Sequence, residues 1–188
     1  AGVLVGTATS NNSYVIKGIV NAAAGTIAAG GSGIFVDYQS QFAGGINNAG
    51  RISAGGLGVD VYQVSTFAGG IANTGAINAL DTGILVDTVS TFSGAIRNNG
   101  TIESGSKSGI AVYQVTRFSG GVTNSGTIEA RSSGIDVYQV STFAGGVTNT
   151  GKITSTTEAG VYVSNVDDTG AASFTGNIVN TGSISGYD

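Results

Sequence analysis

Histidine and cysteine are both missing from this 188-residue sequence. Their absence excludes histidine general bases, metal sites built from histidine or cysteine, and Ser-His-Asp or Cys-His triads. A pair of carboxylates, as in glycosidases, is the catalytic route left open. The lack of cysteine is also compatible with export into an oxidising compartment.

Proline is absent and leucine is scarce, with four residues, whereas glycine occurs 33 times. Glycine costs about 1 kcal/mol at a helix interior, so glycines at fixed places argue against helical repeats. Leucine-rich repeats need a leucine frame that this sequence lacks. The composition therefore favours strands over helices.

Charge is also sparse. Charged residues make up 10% of the chain, the formal net charge is −4, and no two basic residues are adjacent. Nucleic acids and anionic membranes are poor partners for such a chain. Apolar stretches are short and interrupted by glycine, which predicts neither a transmembrane segment nor a signal peptide, and no direct membrane insertion.

One phrase dominates what the sequence does contain. YQVSTFAGGI (62–71) returns as YQVSTFAGGV (138–147), preceded each time by Gly-[Ile/Val]-x-Val and followed by [Ile/Val]-x-Asn-x-Gly-x-Ile. Repeats of this kind are resolved before other motifs are interpreted. Division before each Gly-[Ile/Val] predicts one domain, 1–188, made of seven units: 1–32, 33–57, 58–82, 83–108, 109–133, 134–159 and 160–188.

Alternating isoleucine and valine bounded by glycine and asparagine indicates strands. Each unit of about 25 residues is interpreted as one coil of an all-β, parallel β-solenoid with three strand faces. The inward side chains of the unit 58–82 are predicted to be Val59, Val61, Val64, Phe67, Ile71 and Ile77. Asp60 is expected to face outward.

Three columns recur at coil spacing, and we expect structural roles for all of them. A hydrogen-bonded amide ladder is predicted for Asn48, Asn73, Asn98, Asn124, Asn149 and Asn180, with Asn21 as its first member. An aromatic stack is predicted for Phe42, Phe67, Phe92, Phe118, Phe143 and Phe174. Positive φ at a tight corner is predicted for Gly50, Gly75, Gly100, Gly126, Gly151 and Gly182.

The eleven acidic residues show no repeated pair. Asp60 and Asp136 share one outward position and Asp37 and Asp87 share another, but neighbouring coils do not repeat them. We therefore expect no carboxylate pair, no catalytic residue and no metal site. The local cluster of Glu158, Asp167 and Asp168 leaves an ion site open.

No other ligand motif occurs. The calcium-binding nonapeptide and the phosphate-binding glycine loops are absent, so no cofactor is expected. Threonine arrays of the ice-binding kind are interrupted, for example by Gln41 and Arg117.

The phrase VTNSGTIEARSSGIDV (122–137) resembles the passenger region of Gram-negative autotransporters. The resemblance covers essentially the whole chain and implies a right-handed parallel β-helix, secretion to the bacterial cell surface, and a role as adhesin, haemagglutinin or surface filament. It transfers no binding residue. The chain carries no C-terminal membrane-barrel segment of that family, so we expect a fragment of a longer passenger or a subunit exported differently.

Two functions follow as hypotheses. The favoured one is an extracellular structural element, a stalk or a head-to-tail filament subunit, because the step from Ile52 to Gly58 and from Ile77 to Gly83 stays at six residues. The alternative is an adhesin that binds a cell-surface ligand through loops, and a polysaccharide-active enzyme is more remote. The apolar end units predict that another coil covers each end, from a second copy or from a longer chain.

Overall fold

A computed structural model describes residues 1–6, 17–166 and 173–187. The described residues form 27 strands and no helix, and every strand pairs in parallel with its equivalent in the next coil. The protein is a β-solenoid, which confirms the predicted all-β fold. Stacked coils bury strand edges that a single coil would leave unpaired.

Each coil passes through four sheets, numbered here in the order in which the chain enters them. Sheet 1 contains Val3–Val5, Ile34–Asp37, Val59–Tyr62, Ile84–Asp87, Ile110–Tyr113, Ile135–Tyr138 and Val161–Ser164. Sheet 2 contains Gln41–Phe42, Thr66–Phe67, Thr91–Phe92, Arg117–Phe118, Thr142–Phe143 and Ser173–Phe174. Sheet 3 contains Gly18–Asn21, Gly45–Asn48, Ile71–Asn73, Ile96–Asn98, Val122–Asn124, Val147–Asn149 and Ile178–Asn180. Sheet 4 contains Thr26–Ala29, Arg51–Ala54, Ala76–Ala79, Thr101–Ser104, Thr127–Ala130, Lys152–Ser155 and Ser183–Ser185.

The prediction of three strand faces is wrong. The phenylalanine segment forms a separate sheet of two-residue strands, because a corner on each side isolates it from its neighbours. The fourth face gives the core an additional wall.

The core lies inside the coils and is built by alternation along each strand. The six predicted inward side chains of residues 58–82 are all buried, at no more than 1% exposure. Their neighbours above and below are equivalent residues, since the register pairs Val59 with Ile84 and Ile77 with Ile102. Side chains that alternate in a strand and repeat between coils form continuous apolar columns.

The left-handed corner lies elsewhere than the sequence predicts. None of the six corner glycines of the predicted column has φ in the left-handed region. The residues that adopt it, with φ between 49° and 55°, directly follow or end the strands of sheet 1 and are not glycine: Tyr38, Gln63, Thr88, Gln114, Gln139 and Asn165. Such a conformation is uncommon for these residue types, above all for β-branched threonine.

The predicted corner glycines serve close approach between coils. A Cβ atom on Gly75 would collide with the carbonyl oxygen of Gly50, and one on Gly100 would collide with that of Gly75. Glycine is needed there because the backbone of one coil lies against the backbone of the next. The expectation of positive φ is therefore wrong, and steric exclusion is the physical reason for these glycines.

Candidate functional site

The asparagine column is a continuous ladder of side-chain amides at the end of sheet 3. The Nδ2 of Asn73 donates to the Oδ1 of Asn98 at 2.8 Å, and Asn98 donates in turn to Asn124 at 2.8 Å. The same Nδ2 of Asn98 lies 3.3 Å from the carbonyl oxygen of Gly100 and 3.1 Å from that of Thr127. The ladder therefore satisfies buried amides that would otherwise be costly.

The ladder has a direction. In every step the amide nitrogen of one coil donates to the amide oxygen of the following coil, from Asn21 through Asn48 to the last member, Asn180. Among the described residues, no side chain donates to the Oδ1 of Asn21, and the Nδ2 of Asn180 reaches only the carbonyl oxygen of Gly182, at 3.4 Å. One end thus presents an acceptor and the other a donor.

The phenylalanine column is a buried stack next to this ladder. Ring centroids lie 4.8 Å apart from Phe42 to Phe67 and from Phe67 to Phe92, with nearly parallel planes. Between Phe92 and Phe118 the rings meet edge to face at 5.2 Å, where the sequence inserts one extra residue into the repeat. Both arrangements are favourable for aromatic pairs.

A third feature lies on the outside of sheet 1, and we call it the acidic face. Its two outward columns carry four aspartates and neither lysine nor arginine. The first column comprises Leu4, Phe35, Asp60, Leu85, Ala111, Asp136 and Tyr162. The second comprises Gly6, Asp37, Tyr62, Asp87, Tyr113, Tyr138 and Ser164.

Asp60 is the most enclosed of these aspartates. It was expected to face outward, and it does lie on the outer side of the strand, but only 7% of it is exposed. Phe35 and Leu85 occupy the same column in the coils on either side of it. This burial is the main reason that its pKa rises to about 7, and the charges of Asp37 and Asp87 raise it further.

Asp136, three coils further along the same column, has a different environment. The hydroxyl of Tyr113 donates to its Oδ2 at 2.5 Å. Burial and the charge of Glu158 raise the pKa of Asp136, against the opposing hydrogen bond from Tyr113. Burial and the bond to Asp136 also raise the pKa of Tyr113. Asp136, Glu158, Ala159 and Tyr162 line an open cavity of about 430 Å³.

The structure thus brings carboxylates together where the sequence predicted none. The prediction that no acidic pair exists is wrong, because it compared residues within one column only. Asp37 and Asp87 lie in the second column, one coil to either side of Asp60, so the three form a diagonal row. The aligned repeats already contained this signal.

These carboxylates do not form a metal centre. In the part of the chain that the structure describes, no group of three or more histidine, cysteine, aspartate or glutamate side chains could hold a metal ion. The ion site left open at Glu158 depends on Asp167 and Asp168, which lie outside the described residues. Glu158 itself accepts hydrogen bonds from Ser132 at 2.7 Å and Ser133 at 2.9 Å.

We expect Asp60→Asn to raise the free energy of unfolding by about 1–3 kcal/mol at pH 8, since the amide removes a buried charge beside two others. The folded-state pKa of Asp60, about 7, lies above the usual value of 3.8. The destabilisation is therefore absent below about pH 4, grows as the pH rises and is complete above about pH 7. Urea unfolding at several pH values checks this, and parallel curves for both proteins would contradict it.

Comparisons with known proteins name no relative. No family model matches the chain, no curated protein matches it, and no solved structure matches it. In the described residues no helix is long and apolar enough to cross a membrane. The argument for function therefore depends on the geometry of the solenoid.

Proposed function

We propose that the protein is a non-enzymatic structural element of the bacterial cell surface, either a stalk segment or a subunit of a filament in which coils stack head to tail. The observation that carries this proposal is the continuity of the core columns. Ile, Val, Phe and Asn columns continue from coil to coil through the stacked sheets. Such a chain is a rod whose length is set by the number of coils.

The last coil supports stacking because its inward side chains are not covered. Ile178 is 51% exposed and Ile184 is 36% exposed, whereas their equivalents one coil earlier, Val147 and Ile153, are 1% and 0% exposed. Burying such side chains is favourable by about 1.5–3 kcal/mol each. A further coil placed on this end, from a second copy or from a longer parent chain, would bury them.

The direction of the asparagine ladder supports a head-to-tail arrangement. The free donor of Asn180 and the free acceptor of Asn21 are complementary, so a coil added in the same orientation extends the ladder. A contact of this type does not close on itself and propagates as a filament.

Electron microscopy and light scattering on the purified chain test the filament form. We expect rods of constant width that lengthen with protein concentration. The double substitution Ile178→Lys with Ile184→Lys should block lengthening, because it places charges on the end surface. Val179→Lys is the matched control, since Val179 is 43% exposed but pairs with the outward Thr148. A stable monomer at high concentration would contradict self-stacking.

The adhesin hypothesis is the second candidate, and the acidic face is the observation that favours it. A regular rod presents equivalent side chains at fixed intervals along its side, which suits an extended ligand. Both functions are compatible in one molecule, because the columns of the core and the outer columns of sheet 1 use different side chains.

A further inference from the structure

The acidic face offers hydrogen-bond acceptors without donors. Four buried side-chain oxygens have no hydrogen-bond partner among the described residues, and all of them lie on this face or on the corner beside it: Asp37 Oδ1, Asp60 Oδ1, Gln63 Oε1 and Asp136 Oδ1. Buried polar atoms normally have a partner. Because all four are acceptors, the missing partner carries donors or positive charge.

The negative charge on this face gathers at two positions. The first is centred on Asp60, which is more than nine-tenths buried and has Asp37 and Asp87 on either side. The second is the cavity that Asp136 and Glu158 line. No cation of the chain compensates either position: the two ion pairs found in the described residues, Lys107–Asp81 and Lys152–Glu129, do not involve these carboxylates.

Aromatic side chains accompany both positions. Tyr62 lies on the same outer side as Asp60, two residues further along the strand, and Tyr162 lines the cavity beside Asp136. A tyrosine ring attracts a cation placed over its face. The combination of carboxylates and tyrosine rings fits ammonium or guanidinium groups better than anionic or purely apolar ones.

The distance between the two positions sets the geometry of a partner. Asp60 and Asp136 occupy the same column three coils apart, and at about 4.8 Å per coil the separation is about 14 Å. An extended polypeptide advances about 3.3 Å per residue and places every second side chain on the same side. Residues i and i+4 of such a segment are therefore about 13 Å apart and face the same way.

We infer that the acidic face binds an extended basic protein segment that lies along the rod, with one lysine or arginine over Asp60 and its flanking aspartates and a second, four residues away, in the Asp136–Glu158 cavity. Charge complementarity and the unpartnered acceptors identify this occupant. The inference concerns the side of the rod and is independent of stacking at its ends.

Fluorescence polarisation with labelled short peptides on the whole chain tests the inference. The probe carries arginine at positions i and i+4 in a serine and glutamine background. We expect it to bind at least about five-fold more tightly than its isomer with arginine at i and i+3, which directs the two side chains to opposite sides. Asp60→Asn and Asp136→Asn should each weaken binding about five-fold, and raising salt from about 0.05 to about 0.5 M should weaken it too.

Glu103→Gln is the matched control, because it removes the same charge from an exposed position on sheet 4 and should leave the affinity unchanged. Equal binding of the two isomers would overturn the inference by showing attraction to net charge alone. Equal loss with Glu103→Gln would overturn it for the same reason. Binding of calcium alone, or of a neutral oligosaccharide, that is lost in Asp60→Asn while the arginine peptide fails to bind would assign the face to a different ligand and also overturn it.

Discussion

Phe118→Ala is expected to lower the free energy of unfolding by about 3–5 kcal/mol, because it opens a cavity in the centre of the rod. Phe118 is fully buried and contacts an aromatic ring in each neighbouring coil, Phe92 at 5.2 Å and Phe143 at 5.1 Å between centroids. Both aromatic contacts disappear in the variant, and the closely stacked coils restrict collapse into the space. Urea denaturation followed by circular dichroism measures the loss.

Phe35→Ala is the control for this experiment. Phe35 is half-buried on the outer side of sheet 1, so the same substitution there should cost only about 1 kcal/mol. Similar losses for the two variants would contradict the view that the inner column dominates stability. A loss below about 0.5 kcal/mol for Phe118→Ala would show that the column does not line a packed core.

Asn98→Asp is expected to cost about 3–5 kcal/mol at neutral pH, because it places an uncompensated charge in the ladder. Asn98 is 0% exposed, and its Nδ2 donates to Asn124 Oδ1 and to the carbonyl oxygens of Gly100 and Thr127. A carboxylate oxygen at the position of this nitrogen would face three acceptors and no donor. Thermal and urea unfolding at neutral pH measure the loss.

The same substitution one residue later is the control. Asn99 is exposed and points away from the ladder, so Asn99→Asp should change stability by less than about 0.5 kcal/mol. Protonation restores a donor to the carboxyl group at position 98, so the deficit of Asn98→Asp should shrink as the pH falls toward 4. Equal stabilities of the two variants, or a deficit independent of pH, would contradict the ladder as the cause.

The alternation of apolar side chains made the core predictable. An inward residue is recognisable from its own strand, since successive side chains point to opposite sides. Val59, Val61 and Phe67 were therefore predicted correctly without knowledge of their neighbours in other coils. The repetition of the pattern then indicated that coils stack in register.

The acidic face was not predicted, because its properties arise between coils. Asp37, Asp60 and Asp87 lie 23 and 27 residues apart in the sequence and meet only through the register of sheet 1. The low exposure of Asp60 also depends on which side chains occupy the adjacent positions. Neither fact follows from the unit that contains Asp60 alone.

The corner conformations show the same division. The sequence by itself determined the repeat, the strand-rich composition and the inward columns, because each follows from local periodicity. Only the tertiary structure decided that Gln63 and Thr88 adopt the left-handed conformation while Gly75 does not. A glycine in a sequence indicates either an unusual φ or a lack of space for a side chain, and only the position of the neighbouring coil distinguishes the two.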